Sequence, residues 1–156
     1  MYPVPPSTSS FQARLDFEPV RLADSDGRRI YSEMNHHNWW CDTQDQLPAG
    51  ATIVPVICAS DQTQLNNFLG TQHAWPRYLT ISNIQMDIHW KLEMFAWILI
   101  GLIPCPPKRT TNIEDAWHSS VGTVLSQLRH LVITGPGLKW VCPDGFQRQC
   151  YPLLAA

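Results

Sequence analysis

The sequence predicts an α/β domain, a mixed sheet with a covering helix and an irregular N-terminal arm. Three observations predict it. Thr52-Ile-Val-Pro-Val-Ile-Cys58 is a continuous run rich in β-branched residues, the pattern of a strand buried on both faces. Two further apolar runs follow, Arg77 to Ile81 and Ala96 to Ile103. Then Trp117, Val121, Val124, Leu125, Leu128 and Leu131 fall on one face at helical spacing.

The elements can be justified in order. Residues 1–12 are rich in Pro and Ser and read as a flexible tail with no signal-peptide pattern. Residues 13–50 form the arm, polar and turn-rich. Asp24-Ser-Asp-Gly27 is a turn signature, Arg28 to Met34 a short helix or strand, and Trp39-Trp40 a docking pair. Pro48-Ala-Gly50 punctuates the chain before the core, residues 51–156. Pro55 removes a ladder donor, which suggests an edge position or a bulge for the first strand. Trp75-Pro76 introduces the second strand and Pro104-Cys-Pro-Pro107 stops the third. Thr111 or Asn112 can cap the helix, with Glu114 and Asp115 in its first turn, and Gly135-Pro-Gly137 ends it. Pro143-Asp-Gly145 turns a hairpin between Leu138 to Val141 and Gln147 to Leu154. Three strands, a helix and a further strand suit a mixed sheet, and an RNase H-like fold begins this way.

Composition bounds the function. The 156 residues suffice for a real core, and 44% apolar against 15% charged residues excludes a fully disordered chain. The net charge is −2, whereas a stand-alone nucleic-acid binder usually carries a basic excess. Five cysteines without a C-x-x-C pair argue against a zinc site or a disulfide framework, and read as reduced thiols in an intracellular protein. The apolar stretch from Phe95 to Pro104 is too short to span a bilayer.

Asp61 ends the first strand, where ligands gather in open α/β sheets. Spacing alone favours another role for it. Asp61-Gln-Thr-Gln64 has the form of a capping box, and Leu65, Phe68 and Leu69 continue a helical stripe. Asp144 sits in a turn, Asp87 in a polar loop without an evident partner, and His36-His37 reads as a surface pair. No phosphate loop, nucleophile elbow or H-E-x-x-H motif is present.

Several long segments carry a resemblance. Gln46 to Leu65, Ala74 to Ile84, Ala96 to Pro104 and Asp144 to Ala156, with Arg29-Ile-Tyr-Ser-Glu-Met34 and Trp39-Trp40 upstream, resemble the Plavaka-type transposases of fungal mobile elements. The likeness covers roughly residues 14–156, in one order and with similar gaps. It implies a CACTA-like, DDE-type transposase with an RNase H-like core. Such enzymes cut and join DNA at element ends with Mg²⁺ or Mn²⁺. Asp61 matches the first acid of the metal site. The second acid of the family lies in an Asp-Tyr-Pro-Glu-Gln-like motif just after the strand that starts near Cys150, beyond Ala156.

The resemblance therefore implies an incomplete core, a fragment with no catalysis of its own and no stably bound metal. A nuclear location follows from the family role. The family's basic Arg-Arg-x-Pro-Ser-like stretch is replaced here by Asp87-Ile-His-Trp-Lys-Leu-Glu-Met-Phe95, which implies weak or absent DNA contact. The alternative is a domesticated, non-catalytic module that binds DNA, itself or an intact transposase. An exposed sheet edge with a tendency to aggregate is a further expectation.

Overall fold

The computed structural model describes residues 15–65, 73–105, 113–126, 136–142 and 144–155. They form an α/β arrangement with a six-stranded mixed sheet and a separate two-stranded ribbon. The expected tail at 1–12, the capping residues Thr111 and Asn112, and Phe68, Leu69, Leu128, Leu131 and Gly135 lie outside the described residues.

In the arm, β1 (Leu22–Ala23) and β2 (Arg29–Ile30) pair antiparallel. The Asp24 carboxylate makes their turn by accepting the backbone N–H groups of Asp26 at 2.9 Å and Arg28 at 2.8 Å. Gly27, at φ 77°, supplies the left-handed residue. A 3-10 turn, Met34–His36, leads into helix α1 (Asn38–Gln44), which packs on the first core strand. Of the tryptophan pair only Trp40 docks; it is wholly buried, while Trp39 stays exposed.

The core strands are β3 (Ala51–Ser60), β4 (Thr63–Gln64), β5 (His73–Ile81), β6 (Ile98–Pro104), β7 (Leu138–Val141) and β8 (Gln147–Leu154). A short helix, α2 (Met86–His89), follows β5, and α3 (Ile113–Val124) follows β6. The order across the sheet is β6-β5-β3-β8-β7, with β4 also on β5. All pairs are antiparallel except β3 with β8, which run parallel. Trp117, Val121 and Leu125, three residues of the expected stripe, are half-buried, and α3 contacts β6.

β3 is interior to the sheet, and Pro55 is fully buried in it without a bulge, at a position where one side of the strand is locally unpaired. The register explains how. Strand β5 pairs only from Val56 to Ser60, so the first half of β3 has β8 on one side and no strand on the other. The Val56 carbonyl faces β8, accepting the Ala155 N–H, so Ala51, Ile53 and Pro55 turn their backbone groups the opposite way. Side chains and a turn stand in for the missing strand. The Gln44 amide donates to the Ala51 carbonyl at 2.7 Å and accepts the Ile53 N–H at 3.0 Å. Asn83 donates to the Ile53 carbonyl at 3.3 Å, and the Ser82 N–H reaches the Pro55 carbonyl at 2.8 Å. Proline is tolerated at 55 because the β5 ladder starts only at Val56, so its missing N–H breaks no strand pairing.

Two apolar clusters flank the sheet. One joins Phe17, Val54, Cys142 and Cys150, the other Ile84, Ile88 and Ala96, and Leu15 and Ile81 pack against both. All five cysteines are free thiols.

Candidate functional site

Asp61 stands in a pause of a long hairpin. Strands β3 and β4 keep one register against β5: Ser60 faces Arg77, and beyond the pause Thr63 faces Ala74. Carried through, that register sets Asp61 opposite Pro76. The bond from Ser82 to Pro55 fixes which pairs exchange hydrogen bonds, and alternation makes 61 with 76 such a pair. Pro76 has no N–H to give, so the ladder pauses there.

The strand resumes as β4, so Asp61 does not begin a helix; the capping-box reading of Asp61 to Gln64 gives way to Thr63–Gln64 paired with β5. That pairing is made across the hairpin and leaves no local mark. The Asp61 carboxylate is exposed and accepts the N–H of Gln62 at 2.8 Å. Gln62 in turn donates to the Cys105 sulfur at 3.2 Å, tying the pause to the end of β6.

One residue before Asp61, the partner across the hairpin is Arg77, whose importance the sequence did not signal. Its guanidinium lies 4.1 Å from the centre of the Trp117 ring. Its Nε and Nη2 are buried without hydrogen-bond partners. Burial lowers the Arg77 pKa, and the neighbouring Cys58 thiol is pushed up, also by burial. The signal available was a cation in an apolar strand, with a tryptophan on the covering helix to stack on it.

The other acids and histidines singled out in the sequence have structural partners. Asp87, in the first turn of α2, pairs with Lys91 at 3.1 Å. Asp144 binds Arg148 at 2.7 Å and accepts the Phe146 N–H, as a turn residue should. His36 meets Ser32 at 2.8 Å while His37 packs on Tyr31, so the pair diverges. Among the described residues no group of three His, Cys, Asp or Glu side chains is placed to hold a metal ion, and no helix is long and apolar enough to cross a membrane.

The parallel register of β3 and β8 adds one relation. Ala51 faces Gln149 and Val56 faces Leu154. Continued, it sets a residue about three places beyond Ala156 level with Asp61, on a strand about 4.8 Å away. The family model described as Plavaka transposase matches residues 7–156. No match was found among curated proteins or among solved structures.

Proposed function

The chain belongs to the Plavaka transposase family, and from that premise we propose that its sheet is the opening part of an RNase H-like core with Asp61 as the first metal-site acid. The strand arrangement is the observation that carries this reading. Three antiparallel strands, a covering helix and a strand returning parallel beside the first are what such a core needs. The pause at Pro76 adds to it, freeing Asp61 from a regular ladder at the end of the central strand. An acid from the Asp-Tyr-Pro-Glu-Gln-like motif, coming off the end of β8, would stand on the neighbouring strand at the same level.

Divalent ions in such enzymes activate the attacking oxygen and stabilise the leaving one, held by several carboxylates together. The residues present do not fit that group. Asp61 brings one carboxylate, and among the described residues no group of three His, Cys, Asp or Glu side chains is placed to hold a metal ion. No catalytic step is therefore assigned to this chain by itself. Its role is that of a transposase piece acting with DNA in the nucleus, and a net charge of −2 makes its own hold on phosphate weak.

The test is nicking of supercoiled DNA with Mg²⁺ or Mn²⁺, comparing the chain with its Asp61→Asn variant. The two should match at background. Metal-dependent nicking that disappears with Asp61→Asn would overturn the assignment of inactivity.

A further inference from the structure

A cleft of about 210 Å³ lies between the arm and the sheet. Three distant segments build it: residues 32–37 of the arm, Ile57 on β3, and residues 82–89 after β5. It is smaller than the sites that take drug-sized molecules, which limits the occupant to a group about the size of one or two fused rings.

Its chemistry narrows the occupant. Ile57, Ile84, Met34 and Met86 give apolar surface, and thioethers make favourable contacts with aromatic rings. Among the described residues no Lys or Arg lines it, so they offer phosphate or sulfate no permanent counter-charge. Glu33 accepts the Met86 N–H at 3.1 Å, and a carboxylate has lone pairs to spare for a ligand's donor. His89 has Nε2 3.3 Å from the Thr80 hydroxyl, leaving its other ring nitrogen. Ser82 supplies the decisive observation. It is only 6% exposed and lines the cleft, and its hydroxyl has no hydrogen-bond partner. A buried hydroxyl without a partner is costly and uncommon, and a bound group could complete it.

We propose that this cleft binds a flat, amino-bearing nitrogen heterocycle of the nucleobase class. Such a ring offers two apolar faces to the Met and Ile side chains. Its edge presents both acceptors and an amino donor, matching Ser82, His89 and Glu33. Two sources share this chemistry, a free nucleoside and an unpaired base at a DNA end. Only the second rests on the transposase reading; binding of the ring itself does not involve Asp61.

Isothermal titration of the full chain tests it with adenosine, cytidine, thymidine and ribose 5-phosphate. Adenosine and cytidine should bind. Thymidine, which lacks the exocyclic amine, should be weaker by at least about tenfold, and ribose 5-phosphate should not bind. Ser82→Ala should weaken adenosine roughly fivefold. Met86→Trp, a substitution at an exposed rim position, should fill the cleft and abolish binding while the melting curve stays cooperative. A duplex with one unpaired 3′ adenine, compared with a blunt duplex, separates the sources. Preference for the overhang, lost in Met86→Trp, assigns the base to DNA, and equal duplex binding with adenosine still bound assigns a nucleoside. No adenosine binding at millimolar concentration, equal binding of ribose 5-phosphate, or binding untouched by Met86→Trp would overturn the proposal.

Discussion

Replacing Gln44 by Ala removes the side chain that stands in for a strand beside the first half of β3. Two backbone groups lose their partners, the Ala51 carbonyl and the Ile53 N–H. Both residues are buried, Ile53 completely, so water does not replace the amide without opening the arm. A buried polar group left unpaired costs about 1–3 kcal/mol, which makes the loss roughly 2–6 kcal/mol for the pair. With a urea m-value of about 2 kcal/mol/M, the unfolding midpoint should fall by about 1–3 M. Gln44→Glu sharpens the test. A carboxylate still accepts from Ile53 but cannot donate to Ala51, so this variant should also be destabilised. The control is Gln46→Ala, whose amide donates to the Asp42 carbonyl at an exposed position; it should shift stability by less than about 0.5 kcal/mol. A Gln44→Ala midpoint within about 0.3 M of the parent in urea would refute the stand-in role.

Three other outcomes are expected. The Arg148 guanidinium, hydrogen-bonded to Asp144, holds that carboxyl below its ordinary value of 3.8. A lowered pKa contributes stability that is present above the unfolded value and lost as pH falls through the folded one. Urea midpoints of the parent should therefore decline below pH 3.8 more steeply than those of Asp144→Asn. Gly137 adopts φ 65°, and a Cβ there would sit 2.9 Å from Gln149 Nε2 and 3.1 Å from the Cys150 carbonyl. Gly137→Ala should thus cost about 1–3 kcal/mol more in denaturant unfolding than Gly27→Ala, where φ is also positive but the space is open. Leu99 and Leu102 are exposed on β6, whose described residues pair only with β5. An uncharged apolar edge favours pairing between chains, so Leu99→Lys with Leu102→Lys should lower the sedimenting aggregate fraction; an unchanged fraction would clear this edge.

Much of this arrangement was legible because it is written in local pattern. The run from Thr52 to Val56 is buried as its apolar pattern predicts, although Ile57 is half-buried and Cys58 exposed, and Pro-Asp-Gly turns the β7–β8 hairpin as its chemistry requires. Asp24 to Gly27 likewise forms its turn through its own side chain. What the sequence misled on depends on partners far along the chain. Pro55 looked like a mark of an edge; β3 is interior to the sheet, but β5 stops one residue short of Pro55, so that side is locally open and Gln44 and Asn83 serve its ladder positions. Asp61 to Gln64 has the composition of a helix cap, and the single register that β3 and β4 keep against β5 from Val56 to Gln64 overrides it, the residue opposite Asp61 being a proline. Asp87 had a legible partner after all, Lys91 four residues on. The cleft was not legible, since no local pattern brings Glu33, Ile57 and Ser82 together.

The central claim is that Asp61 is one acid of a site whose next acid belongs at the same level on the continuation of β8. Extending the chain beyond Ala156 with two alanines followed by Asp-Tyr-Pro-Glu-Gln, which sets the Asp at the level of Asp61, and titrating Mn²⁺, followed by its paramagnetic resonance, tests that claim directly. The account predicts that the extended chain binds Mn²⁺ at least about tenfold more tightly than the parent, and that Asp61→Asn in the extended chain removes the gain. Equal Mn²⁺ binding with and without the extension, or a gain that survives Asp61→Asn, would contradict it.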